Sequence, residues 1–191
     1  MTDCILHHES IISLDDCNKI IDFFEDNPSL HSKGVVGSDN KPRLDIKNST
    51  EIGMHIHSTQ ELKGEVNYII AKGLEQSIKF YKKEYPFIDA IVPWNLDPIY
   101  NLQRYLPNEG YFNLHCENDG QLGHISRMLV WMIYLNDVSD GGYTYFPHQQ
   151  KKIQPRVGDI IIWPSYWTHP HRGITSKTEK KYIATGWFKH L

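Results

Sequence analysis

Two histidines and one glutamate in the second half of the chain are of the types that bind a redox metal. His115 and Glu117 stand two residues apart, and His171 follows far downstream. Two imidazoles and one carboxylate form the donor set that holds ferrous iron on one face and leaves positions open for oxygen chemistry. The sequence therefore predicts a metal site in the C-terminal half.

Neighbouring residues compete for two of these roles. His169 lies in the same THPHRG segment as His171, and one face of a strand could present either imidazole. Asn118 and Asp119 follow Glu117 and could replace it, although their position in a turn makes them weaker candidates. From the residues alone, the choice between His169 and His171 stays open.

The first half of the chain has helical periodicity. Apolar residues recur at spacings of three and four over Ser13 to Asp26, with Ser13 as the cap, and over Thr59 to Glu84. We expect a helix in each stretch, the second covering one face of a sheet. His31 to Asn48 is polar and contains glycine and proline, which predicts an exposed loop or hairpin that could also serve as a substrate lid.

An alternating stretch precedes the second helix. Glu51 to Ser58 predicts a strand that would carry His55 and His57 on one face. Two imidazoles in this arrangement are geometrically compatible with a metal, but no third ligand is near them in the sequence. This pair is therefore a much weaker metal candidate than the set in the second half.

Beyond Pro93 the chain is rich in short aromatic and β-branched segments separated by turn residues. Met128 to Leu135 and Asp159 to Trp163 are almost entirely apolar, which is typical of strands buried on both faces. The spacing predicts an antiparallel jelly roll, in an α+β and mainly β fold with N-terminal supporting helices. We expect a single domain over residues 1–191, with 1–92 as the helical support region and 93–191 as the jelly-roll core.

Composition limits the partners and the location of the protein. The formal net charge is -3, with acidic and basic residues interspersed, so nucleic acid is not indicated as a partner. Apolar runs are too short for a membrane span, and the N-terminus lacks the pattern of a secretory signal. Of the cysteines Cys4, Cys17 and Cys116, one is left unpaired in any disulfide scheme. We expect a soluble, cytoplasmic or otherwise intracellular protein, with the Cys116 thiol pointing away from the flanking ligands.

Four stretches between about Ile99 and Phe188 carry a combined pattern of aromatic, histidine, glycine and lysine residues. In order they read LQRYLPNEGYFNLHCE, RMLVWMIYLNDVSDGGYTYFP, PRVGDIIIWPSYWTHPHRG and KKYIATGWF. Together they resemble the catalytic domain of the prolyl 4-hydroxylase-like iron(II)- and 2-oxoglutarate-dependent oxygenases. The resemblance implies a double-stranded β-helix of the cupin-like kind. It also implies Fe(II) as cofactor and 2-oxoglutarate and O2 as cosubstrates, with ascorbate as a further candidate.

The resemblance assigns the iron ligands, and hence the catalytic centre, to His115, Glu117 and His171. It prefers His171 to His169 because the family's histidine precedes a glycine by two residues and a basic residue by ten. The common family pattern has aspartate where this chain has Glu117. An extra methylene moves the carboxylate by more than about one ångström, a scale to which active sites are sensitive. With glutamate in place of aspartate, weak iron affinity or altered chemistry is an alternative to an ordinary iron site.

The cosubstrate residues follow from the same resemblance. Lys181 falls where the family's basic residue binds the distal carboxylate of 2-oxoglutarate, and Lys180 is the competing lysine. An ammonium suits a carboxylate held inside a mostly apolar barrel. Tyr105 and Tyr134 match positions that line or hydrogen-bond the cosubstrate, although either side chain could equally be core.

The implied reaction couples oxidative decarboxylation of 2-oxoglutarate to hydroxylation of an unactivated carbon. The most similar family members suggest a prolyl residue in a peptide or protein, with the loop around Val35 to Arg43 as a lid candidate. Arg127 matches a position near the active-site entrance, although a surface salt bridge is an equal alternative. Two other functions stay open: hydroxylation of a free amino acid or small metabolite, and a catalytically silent jelly-roll binding module with a degenerate metal site.

Overall fold

The computed structural model describes residues 3–37, 41–58 and 61–191. The helices are α1 (Leu14–Asp26) and α2 (Glu61–Glu84), with short 3-10 helices at Pro28–Leu30 and Pro86–Ala90. The strands are β1 (Leu6–His8), β2 (Ser32–Lys33), β3 (Lys47–Asn48), β4 (Thr50–His55), β5 (Trp94–Tyr105), β6 (Gly110–Tyr111), β7 (Arg127–Tyr134), β8 (Thr144–Phe146), β9 (Lys151–Ile153), β10 (Ile160–Pro164), β11 (Arg172–Gly173) and β12 (Lys181–His190).

Both predicted helices form. The Ser13 hydroxyl accepts a hydrogen bond from the backbone amide of Asp16 (3.1 Å) and so caps α1. The predicted start of the second helix, Thr59, lies outside the described residues, and α2 is described from Glu61 to Glu84. In the described part of the chain, no helix combines the length and the apolar character needed to cross a bilayer.

The largest sheet has the strand order β1-β10-β7-β12-β5-β4-β2, and each neighbouring pair is antiparallel. A smaller sheet has the order β11-β8-β9, and β3 pairs with β6. Side chains of the large sheet and of these shorter strands line one cavity. The arrangement confirms the expected mainly β, α+β jelly roll with supporting helices.

One face of the large sheet packs against the helices, and the other face lines the cavity. On one face Tyr100, Leu102 and Ala184 join the core cluster that includes residues of α1 and α2. On the other face Gln103 and Ile183 line the cavity. The sequence could not assign these faces along β12, because its residues are largely buried on both sides.

The region expected to be helical support also contributes strands. Leu6 of β1 pairs with Ile162 of β10, and Ile52 of β4 pairs with Leu102 of β5. Strands β1 and β4, both within residues 1–92, thus belong to the large sheet. Strand β1 is too short to have a readable period, whereas β4 lies within the stretch whose alternation predicted a strand.

Gly186 provides a test of the packing among side chains on the core face of the large sheet. A Cβ at this position would lie 2.6 Å from the indole of Trp131 and 2.9 Å from the Cβ of Tyr100. We expect Gly186→Ala to lower the free energy of unfolding by about 1–3 kcal/mol, measured by urea denaturation. Gly64→Ala in α2 is the matched control, because nothing lies within 4 Å of its Cβ and alanine favours a helix. Equal losses in both variants would contradict this packing.

Candidate metal centre

Three side chains of the predicted donor set converge on the cavity wall. His115 Nε2 lies 3.4 Å from Glu117 Oε1, and His171 Nε2 lies 3.7 Å from the same oxygen. One donor atom from each residue lies within 4.8 Å of the others, and no other such group occurs among the described residues. Metal–nitrogen bonds of about 2.0–2.1 Å would place adjacent donors roughly 3 Å apart. The donors therefore fit one ion after a small adjustment.

Backbone pairing brings the two histidines together. The amide of His115 donates to the carbonyl of His171 (3.0 Å), and the amide of His171 donates to the carbonyl of His115 (2.9 Å). Glu117 is fixed by its own amide, which donates to the carbonyl of Ser165 (3.0 Å). Cys116 directs its thiol to the Asn118 carbonyl (3.5 Å) and contributes no donor to the cluster.

Backbone carbonyls also set the tautomer of each imidazole. His115 Nδ1 lies 2.9 Å from the Asn113 oxygen, and His171 Nδ1 lies 3.1 Å from the His169 oxygen. A carbonyl oxygen can only accept, so each Nδ1 carries the proton and donates. Each Nε2 then presents its lone pair toward Glu117, which is the arrangement a metal-binding histidine needs.

The electrostatics of the cluster suit a cation. Burial opposes ionisation of Glu117, but His115 and His171, which donate to its carboxylate from Nε2 when they are protonated, hold the pKa of its carboxyl well below the usual range. Burial, assisted by the nearby His115, lowers the pKa of His171. At neutral pH the glutamate is therefore ionised and His171 is neutral, the states in which each binds a metal.

His169, the competing histidine, has both ring nitrogens engaged elsewhere. Nε2 donates to the carbonyl of Asp3 (2.8 Å), which leaves Nδ1 to accept from the Thr168 hydroxyl (2.9 Å). The ring therefore has no lone pair free for a metal. Its backbone carbonyl instead receives the hydrogen bond from His171 Nδ1.

The other alternative ligands lie outside the cluster as well. Asn118 donates its amide to two backbone carbonyls, and Asp119 accepts from His124 Nδ1 (3.0 Å). The rings of His55 and His57 have centroids 5.7 Å apart, and His55 Nδ1 accepts from the His57 amide. Within the described residues no third donor joins this pair.

Lys181, rather than Lys180, faces the cavity. Its Nζ is buried and donates to the carbonyl of Gly142 (2.7 Å), whereas Lys180 is exposed. Gly142 has φ +68°, a conformation that favours glycine. No carboxylate of the described residues pairs with Lys181, and burial lowers its pKa to about 7. A buried amine without a counter-ion is suited to an anionic ligand.

Both candidate tyrosines lie close to Lys181. Tyr105 pairs with Lys181 across β5 and β12, lines the cavity and donates its hydroxyl to Gln103 Oε1 (2.7 Å). The ring of Tyr134 lies 5.2 Å from Lys181 Nζ, and its hydroxyl is 2.6 Å from Thr144 Oγ1. Burial raises the pKa of both phenols, which therefore stay neutral. Their contact with 2-oxoglutarate stays a prediction.

Two features of the cavity wall were missed in the sequence. Tyr111 stacks on His115 with ring centroids 3.6 Å apart. Lys47, expected in an exposed loop or hairpin, is buried, and its Nζ lies 2.6 Å from Glu51 Oε1. The expectation for Lys47 was wrong because the ion pair, which spacing does not reveal, permits a lysine of a polar segment to be buried.

Of the two interpretations of Arg127 from the sequence, the structure does not show the surface salt bridge. Arg127 is not on the open surface: its side chain lines the cavity and its Nη1 lies 3.4 Å from Glu117 Oε2. The guanidinium carbon lies 3.7 Å from the ring of Trp187, whose Nε1 donates to the same glutamate oxygen (3.1 Å). The two oxygens of Glu117 thus face different partners.

The part of the chain that holds this site is similar to known oxygenases. Residues 100–189, which include the three donors and Lys181, match the sequence model of the 2OG-Fe(II) oxygenase superfamily. The family description names iron(II) and 2-oxoglutarate, as expected from the sequence. Over 115 residues, 51% of the chain, it is 33% identical to an Acanthamoeba polyphaga mimivirus protein named provisionally as a prolyl 4-hydroxylase. The match covers 47% of that relative, so the chain spans about half its length.

Solved structures share the whole architecture. A viral collagen prolyl hydroxylase from Paramecium Bursaria Chlorella virus-1, in complex with 2OG, has a TM-score of 0.70 at 19% identity, covering 98% of this chain and 97% of its own. A prolyl hydroxylase from Trichoplax adhaerens, bound to a hypoxia inducible factor peptide, has a TM-score of 0.79 at 15% identity, covering 98% and 84%. At these identities the likeness establishes the fold. Together, this fold and the match of residues 100–189, a little under half of the chain, make the chain similar to the 2OG-Fe(II) oxygenase superfamily.

Proposed function

We propose that this protein is an iron(II)- and 2-oxoglutarate-dependent dioxygenase that hydroxylates a prolyl residue in a peptide or protein. The observation that carries the proposal is the presence, on one cavity, of the His115, Glu117 and His171 donors and of the unpaired Lys181. Bound iron(II) would supply oxygen activation coupled to decarboxylation of 2-oxoglutarate. Two imidazoles and one carboxylate that converge on one point are a suitable donor set for that ion.

The residues of the chain have separate tasks in this reaction. His115, Glu117 and His171 bind from one side, which leaves the remaining positions open to cosubstrates. Lys181 holds the distal carboxylate of 2-oxoglutarate and orients that molecule. Apolar side chains of the wall, such as Val130 and Ile183, help to exclude water from the reacting atoms.

Charges around the cavity favour a substrate whose reacting part is uncharged. The described lysines and arginine of the wall other than Lys181 are paired with carboxylates: Lys33 with Glu109 (3.8 Å), Lys47 with Glu51 (2.6 Å) and Arg127 with Glu117 (3.4 Å). A free amino acid brings an ammonium and a carboxylate that would need partners inside the cavity. A prolyl residue within a chain brings neither, which supports a peptidyl substrate.

The size of the cavity and its mouth support the same substrate class. A volume of about 710 Å³ lies in the range that holds drug-sized ligands, so space remains beside a five-carbon diacid. Val35, Val36 and Gly37 contribute to the lining, which supports the lid candidate, although residues 38–40 lie outside the described residues. The similar proteins named as prolyl hydroxylases, one of them bound to a peptide, support this proposal.

Succinate formation tests the proposal against both alternatives. We expect iron-dependent conversion of 2-oxoglutarate to succinate that proline-containing peptides stimulate and free amino acids do not, measured by mass spectrometry with detection of hydroxyproline. Ascorbate, still a predicted reductant, should prolong turnover in the same assay. Stimulation by free proline alone would support the small-molecule alternative. Iron binding without any succinate would support the silent binding module.

We also propose that the chain folds as one domain and works in a reducing, intracellular compartment. Residues of α1, α2 and β7, including Ile20, Ile70 and Trp131, share one core cluster, which supports a single folding unit. The thiols of all three cysteines are free, which is usual in reducing compartments. A single denaturation transition would agree with the first proposal, and full activity in the presence of a thiol reductant would agree with the second.

A further inference from the structure

We propose that Arg127 and Trp187 position Glu117 as a metal ligand and so compensate for the extra methylene of glutamate. The inference deepens the proposed function and rests on it for the identity of the metal. It assigns a positioning role to an arginine and an indole, and it explains how a glutamate can serve at this place in the fold.

The two carboxylate oxygens of Glu117 are divided between two environments. Oε1 faces Nε2 of His115 (3.4 Å) and Nε2 of His171 (3.7 Å). Oε2 accepts from Trp187 Nε1 (3.1 Å) and from Arg127 Nη1 (3.4 Å). One oxygen is thus directed to the metal position while the other is held by two donors.

The donors that hold Oε2 are themselves fixed. Arg127 stacks on the ring of Trp187 (3.7 Å from its guanidinium carbon), and its Nη1 also donates to the backbone carbonyl of Glu117 (3.2 Å). The carbonyl of Arg127 accepts from Ser165 Oγ (2.7 Å) and from the Asn118 amide (2.9 Å). Arg127 therefore donates to both the backbone carbonyl and the carboxylate of Glu117.

The length of the glutamate side chain explains why the hydrogen bonds to Oε2 matter. Glutamate has one more rotatable bond than aspartate, so an unheld carboxylate would lose more freedom when it binds a metal. Fixing Oε2 removes that freedom in advance and selects the orientation in which Oε1 meets the two imidazoles. An aspartate at position 117 is shorter by roughly 1.5 Å, one carbon–carbon bond. It could not reach both the imidazoles and the Trp187 indole without movement of the backbone.

Cobalt(II) binding tests this role without 2-oxoglutarate or turnover. The visible absorbance of cobalt titrated into the metal-free protein gives both a Kd and a signature of ligand geometry. We expect Trp187→Phe and Arg127→Gln each to raise the Kd by about 10–100-fold, as loss of a ligand's supporting hydrogen bonds does, and to change the band intensities.

Matched controls come from the opposite face of the large sheet. Trp94 donates its indole N–H to the Ile88 carbonyl (3.0 Å), and Arg104 binds the carboxylate of Glu25 (2.8 Å). Trp94→Phe and Arg104→Gln therefore lose equivalent bonds away from the cavity. We expect both controls to bind cobalt as the wild type does.

A double-mutant cycle separates positioning from general loss of stability. In the Glu117→Asp background, Trp187→Phe should change the Kd by less than about twofold, because the contact is already broken. Equal effects in both backgrounds, or wild-type affinity and bands in Trp187→Phe and Arg127→Gln, would overturn the inference, as would a wild type that binds no cobalt. A wild type that binds cobalt with the expected variant pattern but forms no succinate would overturn the proposed function and leave the positioning role supported.

Discussion

Replacing His171 with alanine should abolish iron-dependent succinate formation, and His115→Ala should do the same. Each change leaves two of the three protein donors, and even altered supporting contacts around such ligands cost about 10–100-fold in affinity or activity. We therefore expect losses greater than about 100-fold, measured as succinate formed with and without substrate. The backbone bonds that join residues 115 and 171 do not involve their side chains, so the strand pairing should persist.

His169→Ala is the matched control for this experiment. Its ring is buried and bonded to Asp3 and Thr168, so its removal should cost about 1–3 kcal/mol of stability through the loss of both hydrogen bonds. Succinate formation should continue below the unfolding transition. Unchanged turnover in His171→Ala, or loss confined to His169→Ala, would contradict the ligand assignment.

The affinity for 2-oxoglutarate should fall as pH rises above about 7. In the free protein, burial lowers the pKa of Lys181 from 10.5 to about 7, so the amine is neutral above that pH. A bound carboxylate favours the ammonium and raises this pKa, so binding takes up a proton. The Kd should therefore increase by about tenfold per pH unit above 7 and be insensitive to this group below 7. Calorimetry in buffers of different ionisation enthalpy would detect the proton uptake.

Two substitutions of Lys181 distinguish the effect of its positive charge on 2-oxoglutarate binding from the effect of its loss of a proton at higher pH. Lys181→Gln should raise the Kd for 2-oxoglutarate by more than about 100-fold, because the carboxylate loses its buried partner. Lys181→Arg keeps a charge at all relevant pH values and should remove the pH dependence. A wild-type Kd that is constant between pH 7 and 9, without proton uptake, would contradict the predicted titration of Lys181.

The lowered pKa of Lys181 should make the free energy of unfolding rise with pH, whereas it makes the affinity for 2-oxoglutarate fall. Between pH 7 and 10.5 the unfolded chain holds a proton on Lys181 that the free folded protein does not. The contribution of this group to the free energy of unfolding therefore rises with pH across that window. Saturating 2-oxoglutarate should weaken this trend, because the bound state keeps the proton.

Features encoded in local spacing were predictable from the sequence. The Ser13 cap sets the start of α1, and the continuous apolar run of Met128 to Leu135 corresponds closely to β7. Both depend on residues that are neighbours in the chain. The resemblance of the four stretches to a known family likewise predicts His115, Glu117 and His171 as one ligand set, and these three side chains lie together.

Features that depend on contacts between distant segments were not predictable. The direction of Lys181 required knowledge of which face of β12 the helices cover, and both faces are buried. The support of Glu117 joins three segments, at residues 117, 127 and 187, with no spacing rule between them.

An anaerobic absorbance titration of the metal-free protein with ferrous iron and 2-oxoglutarate tests the central claim most directly. The chelated complex of such a site gives a visible charge-transfer band. We expect this band in the wild type and its loss in His171→Ala, because the wild-type donors and Lys181 then bind iron and cosubstrate together. No band in the wild type, with a band in Glu117→Asp, would contradict a competent site and indicate a binding module with a degenerate one.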